Sequence, residues 1–200
     1  MNKEFVIIGA SGHAKVVIEI IEEAGGFVKE VIDSNPSIKE LMSYPVTQQQ
    51  QSDLSVVIAI GNNTVRKKIA EVSNSSFGTV AHPKANLSKR CTIAEGTVVM
   101  AGVTVNADTS IGKHCIINTN ASVDHDCKIA DFVHISPNAS LAGNVTIGEG
   151  SHIGIGSVVI QGITIGKWAT IGAGAVIIGD VPDNAVVVGI PGKIIKYNKV

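Results

Sequence analysis

Aromatic side chains make up only 4% of this 200-residue chain, although 44% of its residues are hydrophobic. A core of that composition must be filled by small aliphatics, which points to a repetitive interior rather than an irregular one built around large rings. Cysteine is scarce as well. Cys91, Cys115 and Cys127 are odd in number and form no CxxC pair, which argues against a disulfide framework or a zinc knuckle and fits a reducing, cytoplasmic setting. An excess of charge of one sign is also missing. A formal net charge of -1 provides no long-range field for nucleic acid or an anionic membrane. Long apolar runs are absent too: the opening MNKEFVIIGASGHAK breaks at Gly9, too soon for a signal-peptide core or a membrane span. The expectation is a soluble protein with no membrane insertion.

What is present falls into two organisations. Phe5 to Ile8 is a β-branched run, GASGHA a turn, and Val16, Val17, Ile20, Ile21 and Ala24 follow at helical spacing, which predicts strand, glycine loop, helix. Gly25 and Gly26 end the helix. Phe27 to Ile32 reads as a second strand ending at Asp33, and Val56 to Ile60 as a third, followed by a turn and a helix through Val65, Ile69 and Val72. Residues 1–80 are therefore expected to form a small α/β, Rossmann-like unit on a parallel sheet.

Beyond Ala81 the period changes to six. From Leu87 to Ile177 every sixth residue is Leu, Ile or Val, and four places after each sits a small or β-branched residue. All three cysteines fall in that second column, which marks them as core residues rather than nucleophiles or metal ligands. A period of six fits a chain that turns a corner every six residues. Three sides then close a coil of eighteen, and residues eighteen apart stack in a parallel ladder at about 4.8 Å. Gly, Asn, Asp, Ser or Ala commonly follows the aliphatic residue, as at Asn106, Gly112, Asp124 and Gly148, and this is expected to serve corners of positive φ. Residues 81–200 are thus read as an all-β parallel β-helix with a C-terminal tail.

This hexad register resembles the left-handed parallel β-helix of hexapeptide-repeat acyltransferases. Together with GASGHAK, IDSNP, IGNN..R and VDHDC...FVHISP, it is similar to the NeuD/PglD type of sugar O- and N-acetyltransferases. The left hand is implied by that resemblance, since the general rule for parallel crossovers favours the opposite one. So are a homotrimer and acetyl-CoA as acyl donor. The acceptor it implies is the amine of a nucleotide-linked sugar.

Acyl transfer from a thioester requires a base, a donor for the developing oxyanion and a groove for the CoA arm. Six histidines are available. His125 stands at the third place of its hexad and should project from the coil. Adding eighteen gives Gly143 and then Gln161, so these three share a column, and a glycine one coil from the base leaves its N–H reachable. The resemblance implies the same roles: His125 as base, Asp126 as its acidic partner, the Gly143 amide toward the acetyl carbonyl, with Asn118 and His134 lining the site. It also implies that the tail segment with Gly189, Pro191, Gly192 and Lys193 flanks the CoA groove.

His134 and His152 are eighteen apart and should stack, but no third ligand is evident, so no metal is expected. The glycine turn between the first strand and helix offers N–H groups to phosphate, while a unit of this size is only half of a dinucleotide fold. The resemblance implies that Gly9, Ser11, His13, Asp33, Gly61 and Asn62 approach a uridine diphosphate. Two other readings stay open on sequence: O-acetylation of a sialic acid or similar sugar, and a non-catalytic or metal-binding β-helix.

Overall fold

The structure is a computed structural model, and it describes residues 3–198. The chain begins with β1 (Glu4–Ile8), α1 (Gly12–Glu23) and β2 (Phe27–Ile32), followed by a hairpin of β3 (Glu40–Leu41) and β4 (Tyr44–Thr47), then β5 (Ser55–Ile58) and α2 (Asn63–Val72). The sheet order is β3-β4-β2-β1-β5. Its four parallel strands, β4-β2-β1-β5, follow the order of one half of a doubly wound sheet, whose loops at the strand C-termini are where ligands bind. Helical spacing in α1 buries Ala14, Val17, Ile18, Ile20 and Ile21. α2 is capped by Asn62, whose Oδ1 accepts the Val65 N–H at 3.0 Å.

The hexads form seventeen two-residue strands, β6 (Val80–Ala81) through β22 (Val176–Ile177), wound into three parallel sheets. Away from the ends, each strand pairs with the strands three before and three after it. Ile117, for example, lies between Val99 and Ile135, an eighteen-residue step. Both aliphatic columns are interior: Val99, Ile117, Ile135 and Ile153 are fully buried, as are Cys115, Ala121 and Cys127. Hydroxyls in the second column cross-link the coils. Thr97 Oγ1 donates to Gly112 O at 2.8 Å and accepts the Cys115 N–H at 2.9 Å, so its burial leaves no polar atom unsatisfied.

One sequence expectation is corrected. Positive φ falls on the fourth place of the hexads, at Gly96 (72°), Asp108 (58°), Asp126 (60°) and Gly150 (70°), among others, and not on the residue after the aliphatic. Glycine just after the aliphatic answers to crowding between coils instead. A Cβ on Gly148 would sit 2.6 Å from the carbonyl carbon of Gly166, and one on Gly154 would sit 2.4 Å from Ile171 O.

The coil ends in a hairpin of β23 (Ala185–Val188) and β24 (Lys193–Tyr197). Around it Ile178, Ile190, Ile194, Ile195 and Tyr197 are exposed. At the other end, the sheet carrying β9 (Val98–Val99) and β12 (Ile116–Ile117) packs against α1, so that Val98, Met100 and Ile116 share a core with Val17 and Ile21. That docking aims the glycine loop of the first unit at one face of the coil.

Candidate active site

The predicted site residues gather in two groups. The first lies on the corner after β13 (Ser122–Val123), where His125 is exposed. Asp124 Oδ1 accepts the His125 N–H at 2.8 Å and the Asn106 amide at 2.7 Å, which fixes the turn. The left-handed conformation of Asp126 brings its Oδ2 to 2.7 Å from His125 Nδ1. With the proton assigned to Nδ1 by this bond, Nε2 is the ring's acceptor. The bond to Asp126, and then the charge of Asp124, raise the His125 pKa above the ordinary imidazole value.

Gly143 lies beneath this ring. A Cβ there would stand 2.6 Å from His125 Cε1 and 2.7 Å from Nε2. Among the described residues no acceptor takes the Gly143 N–H, so a backbone donor beside His125 is free. The Asn144 N–H bonds His125 O at 2.9 Å and locks the two coils together. Gln161 is exposed one coil further. Cβ positions on Gly162 and Gly179, along the same edge, meet nothing within 4 Å, which leaves an open run for a long ligand. The turn carrying Gly189, Pro191 and Gly192 folds back over β22, with the Gly192 N–H on Val176 O at 2.8 Å, and Lys193 is exposed beside it.

The second group lies on a different sheet, where the first unit meets the coil. Asn118 Nδ2 is 3.1 Å from His134 Nε2. The His134 ring stacks on His152 at 4.7 Å with 7° between planes, and His152 Nε2 is 2.8 Å from Ser136 Oγ. Burial, reinforced by His152, Arg66 and His13, pushes the His134 pKa down to about 3. Burial and then Arg66 push His13 down to about 4 and also lower His152. These rings are neutral at physiological pH. His13 Nε2 is buried without a hydrogen-bond partner, and the His134 ring lies against the Gly61 backbone. A cleft of about 490 Å³ opens here, lined by Gly61, Asn62, Thr64, His134, His152 and Trp168 among others.

The glycine loop adjoins this group. Gly9 has φ 110°, and a Cβ would be 2.9 Å from both Ala59 O and Ile60 Cγ1. Asp33 secures the loop: its Oδ2 accepts the Ala10 N–H at 2.8 Å and its Oδ1 the Asn35 N–H at 2.9 Å. Ser11, at the N-terminus of α1, makes no side-chain capping bond. Within one chain, His125, Asp126, Gly143 and Gln161 therefore share one edge, while Asn118 and His134 share another side with the loops of the first unit. Among the described residues no three His, Cys, Asp or Glu side chains converge as metal ligands would. Sequence reasoning missed Asp124 and Ser136. The Asn106–Asp124 step of eighteen residues was the available signal for the first.

With this geometry in place, similarity to known proteins is informative. The profile of the PglD N-terminal domain matches residues 4–72, and that of the bacterial transferase hexapeptide (six repeats) matches residues 144–179. UDP-N-acetylbacillosamine N-acetyltransferase of Bacillus subtilis (strain 168) is 42% identical over 112 residues, which are 50% of this chain and 52% of that relative's length. The match thus spans about half of that relative. Perosamine N-acetyltransferase from Caulobacter crescentus, as a histidine-to-asparagine variant in complex with CoA and GDP-perosamine, is 39% identical with a TM-score of 0.92 over 96% of both chains. The acetyltransferase domain of PglB from Neisseria gonorrhoeae FA1090, in complex with acetyl coenzyme A, is 37% identical with a TM-score of 0.91 over 98% of this chain and 100% of that one. The coil is accordingly a left-handed β-helix.

Proposed function

The chain belongs to the NeuD/PglD-type sugar acetyltransferases of the hexapeptide-repeat superfamily, and from that premise we propose that it transfers the acetyl group of acetyl-CoA to the amine of a nucleotide-linked amino sugar. One observation carries the reading: the imidazole of His125, oriented by Asp126 through Nδ1, packs against Gly143, whose N–H has no acceptor among the described residues. A base and an oxyanion donor are thereby fixed on one edge, the pairing that direct acyl transfer requires. The solved relatives that bind CoA with GDP-perosamine, or acetyl coenzyme A, support the two substrate classes.

In the proposed reaction the amine nitrogen attacks the thioester carbonyl, and His125 Nε2 takes its proton. The Gly143 N–H stabilises the oxyanion of the tetrahedral intermediate. Collapse breaks the C–S bond, and the CoA thiolate leaves with a proton available from the His125 imidazolium. The cysteines are poorly suited to a covalent acyl-enzyme, because burial raises the Cys115 pKa to about 12 and also raises those of Cys127 and Cys91, which leaves the thiols protonated.

The proposed division of labour gives residues 1–80 the nucleotide-sugar, at Gly9, Ser11, His13, Asp33, Gly61 and Asn62. Residues 81–200 carry acetyl transfer, with the CoA arm along the edge from Gly143 and Gln161 toward Gly189 and Lys193. From the corner at His125 to β22 is three coil steps, about 14 Å at strand spacing, within reach of an extended CoA. Because Asn118 and His134 lie on another sheet than His125, the reading calls for a second copy to complete each site. A homotrimer with three junctions provides it. The exposed Ile155, Val158, Ile178 and Ile190 support such packing. No described helix is long and apolar enough to cross a membrane, and we place the reaction in the cytoplasm, where the three free cysteines stay reduced.

The test is thiol release from acetyl-CoA with UDP- and GDP-linked amino sugars as acceptors, for the native chain and His125→Ala. Turnover that collapses in the variant supports the assignment. Equal turnover in both would remove His125 as the base.

A further inference from the structure

Arg66 stands first by volume among the fully buried side chains and is 1% exposed. All five of its N–H donors are used. Nε donates to His114 O at 2.7 Å, Nη1 to Ile60 O at 2.9 Å and Gly61 O at 3.3 Å, and Nη2 to Asn63 Oδ1 at 2.7 Å and Phe132 O at 3.0 Å. That is the whole capacity of a guanidinium. Every acceptor is a neutral oxygen, so the charge is buried without a carboxylate bonded to it. Burial lowers its pKa to about 10, which still leaves it cationic at neutral pH. A buried charge of this kind does not stabilise a fold as well as a hydrophobic side chain of the same shape.

The acceptors show what the arrangement does. Ile60 and Gly61 belong to the loop after β5; His114 and Phe132 are corner residues of successive coils, eighteen apart, both in left-handed conformation. A single rigid, planar group therefore spans the loop and two coils. Asn63, which accepts from Arg66, continues the seam by donating through Nδ2 to Gly150 O at 3.0 Å and Ser151 O at 3.2 Å. The loop so held, Gly61 and Asn62, lines the cleft over His134 and His152.

We infer that Arg66 is a positioning residue: it seats the Gly61–Asn62 loop at a fixed height over the His134–His152 face, so that a nucleotide-sugar held by the first unit stays in register with the coil. This rests on the proposed acetyl transfer and adds to it a specific role for a residue that touches neither the base nor the acetyl site. A lysine keeps the charge but has one donor centre in place of the planar fork, so it cannot bridge the same carbonyls.

Arg66→Lys should raise the KM for a UDP- or GDP-linked amino sugar about tenfold, with the KM for acetyl-CoA unchanged, and should speed amide exchange at residues 60–63. A folded Arg66→Lys with native KM values for both substrates and native exchange would overturn the inference. So would a rise in both KM values together. Asn63→Ala loosens the same seam with Arg66 intact, and covers the case in which Arg66→Lys fails to fold. It should move the nucleotide-sugar KM in the same direction by about threefold, and no change there would also count against the seating role. If the native chain acetylates no acceptor, the proposed function falls on its own, and exchange at residues 60–63 in the variants still decides whether Arg66 holds the loop.

Discussion

Gly143→Ala isolates the geometry on which the proposed chemistry depends. The new methyl would stand 2.6 Å from His125 Cε1 and 2.7 Å from Nε2, where ordinary contact begins at 3.4 Å. The ring must retreat by about 0.8 Å. It can do so at little cost to folding, because His125 is an exposed side chain and Gly143 is not among the residues with positive φ. The retreat carries Nε2 away from Gly143. Misplacement of a catalytic group by about an ångström costs up to roughly 100-fold in rate. The expected loss in kcat is therefore roughly 10- to 100-fold, or about 1.4–2.7 kcal/mol of activation free energy. The assay is steady-state thiol release with a nucleotide-linked amino sugar, alongside a thermal melt. Native kcat in a folded Gly143→Ala would refute the reasoning, because a ring that can be displaced without consequence is not the base.

Other outcomes follow from the same structure. The proposed mechanism needs the neutral His125, whose pKa is raised first by the bond to Asp126. The rate should therefore rise with pH through a midpoint above the ordinary imidazole value, and Asp126→Asn should move that midpoint lower while reducing the plateau; an unmoved midpoint in the pH–rate profile would contradict the pairing. Gly154→Ala places a methyl 2.4 Å from the Ile171 carbonyl, a backbone clash that no rotamer relieves, so denaturant melts should show a loss of about 1–3 kcal/mol. If each site is completed by a second copy, then inactive His125→Ala and His134→Ala chains, unfolded together and reassembled in equal amounts, should regain about a quarter of native activity through junctions with both residues intact. No recovery would assign the site to a single chain.

The β-helix was legible because its interior repeats: each aliphatic column position has the same surroundings as the one eighteen residues away, so a period in the sequence becomes a contact in space. The stack of His134 on His152 was readable for the same reason, and the column of His125 over Gly143 likewise. Corner chemistry was not. Which residue takes positive φ, and which glycine is needed because a Cβ there would meet the backbone of the next coil, depends on how coils lie on one another. The β3–β4 hairpin was missed because its turn, Met42–Ser43, has φ of 50° and 68° without the Asn or Gly that usually marks such a turn. The third strand ends at Ile58 rather than Ile60, and the freed carbonyl of Ile60 goes to Arg66. Arg66 stands in sequence as the arginine of IGNN..R, with no sign there of what it bonds. Only the docking of the first unit onto the coil gives it five acceptors.

The central claim is that the acetyl group ends on a nitrogen of a nucleotide-linked sugar. The most direct measurement is mass spectrometry of the product formed from acetyl-CoA and a UDP- or GDP-linked 4-amino sugar, before and after neutral hydroxylamine, which removes O-acetyl groups and leaves amides intact. The account predicts a single added acetyl group that survives hydroxylamine and is absent when the acceptor carries a hydroxyl in place of the amine. An acetyl group removed by hydroxylamine, or one transferred equally to the hydroxyl analogue, would contradict it.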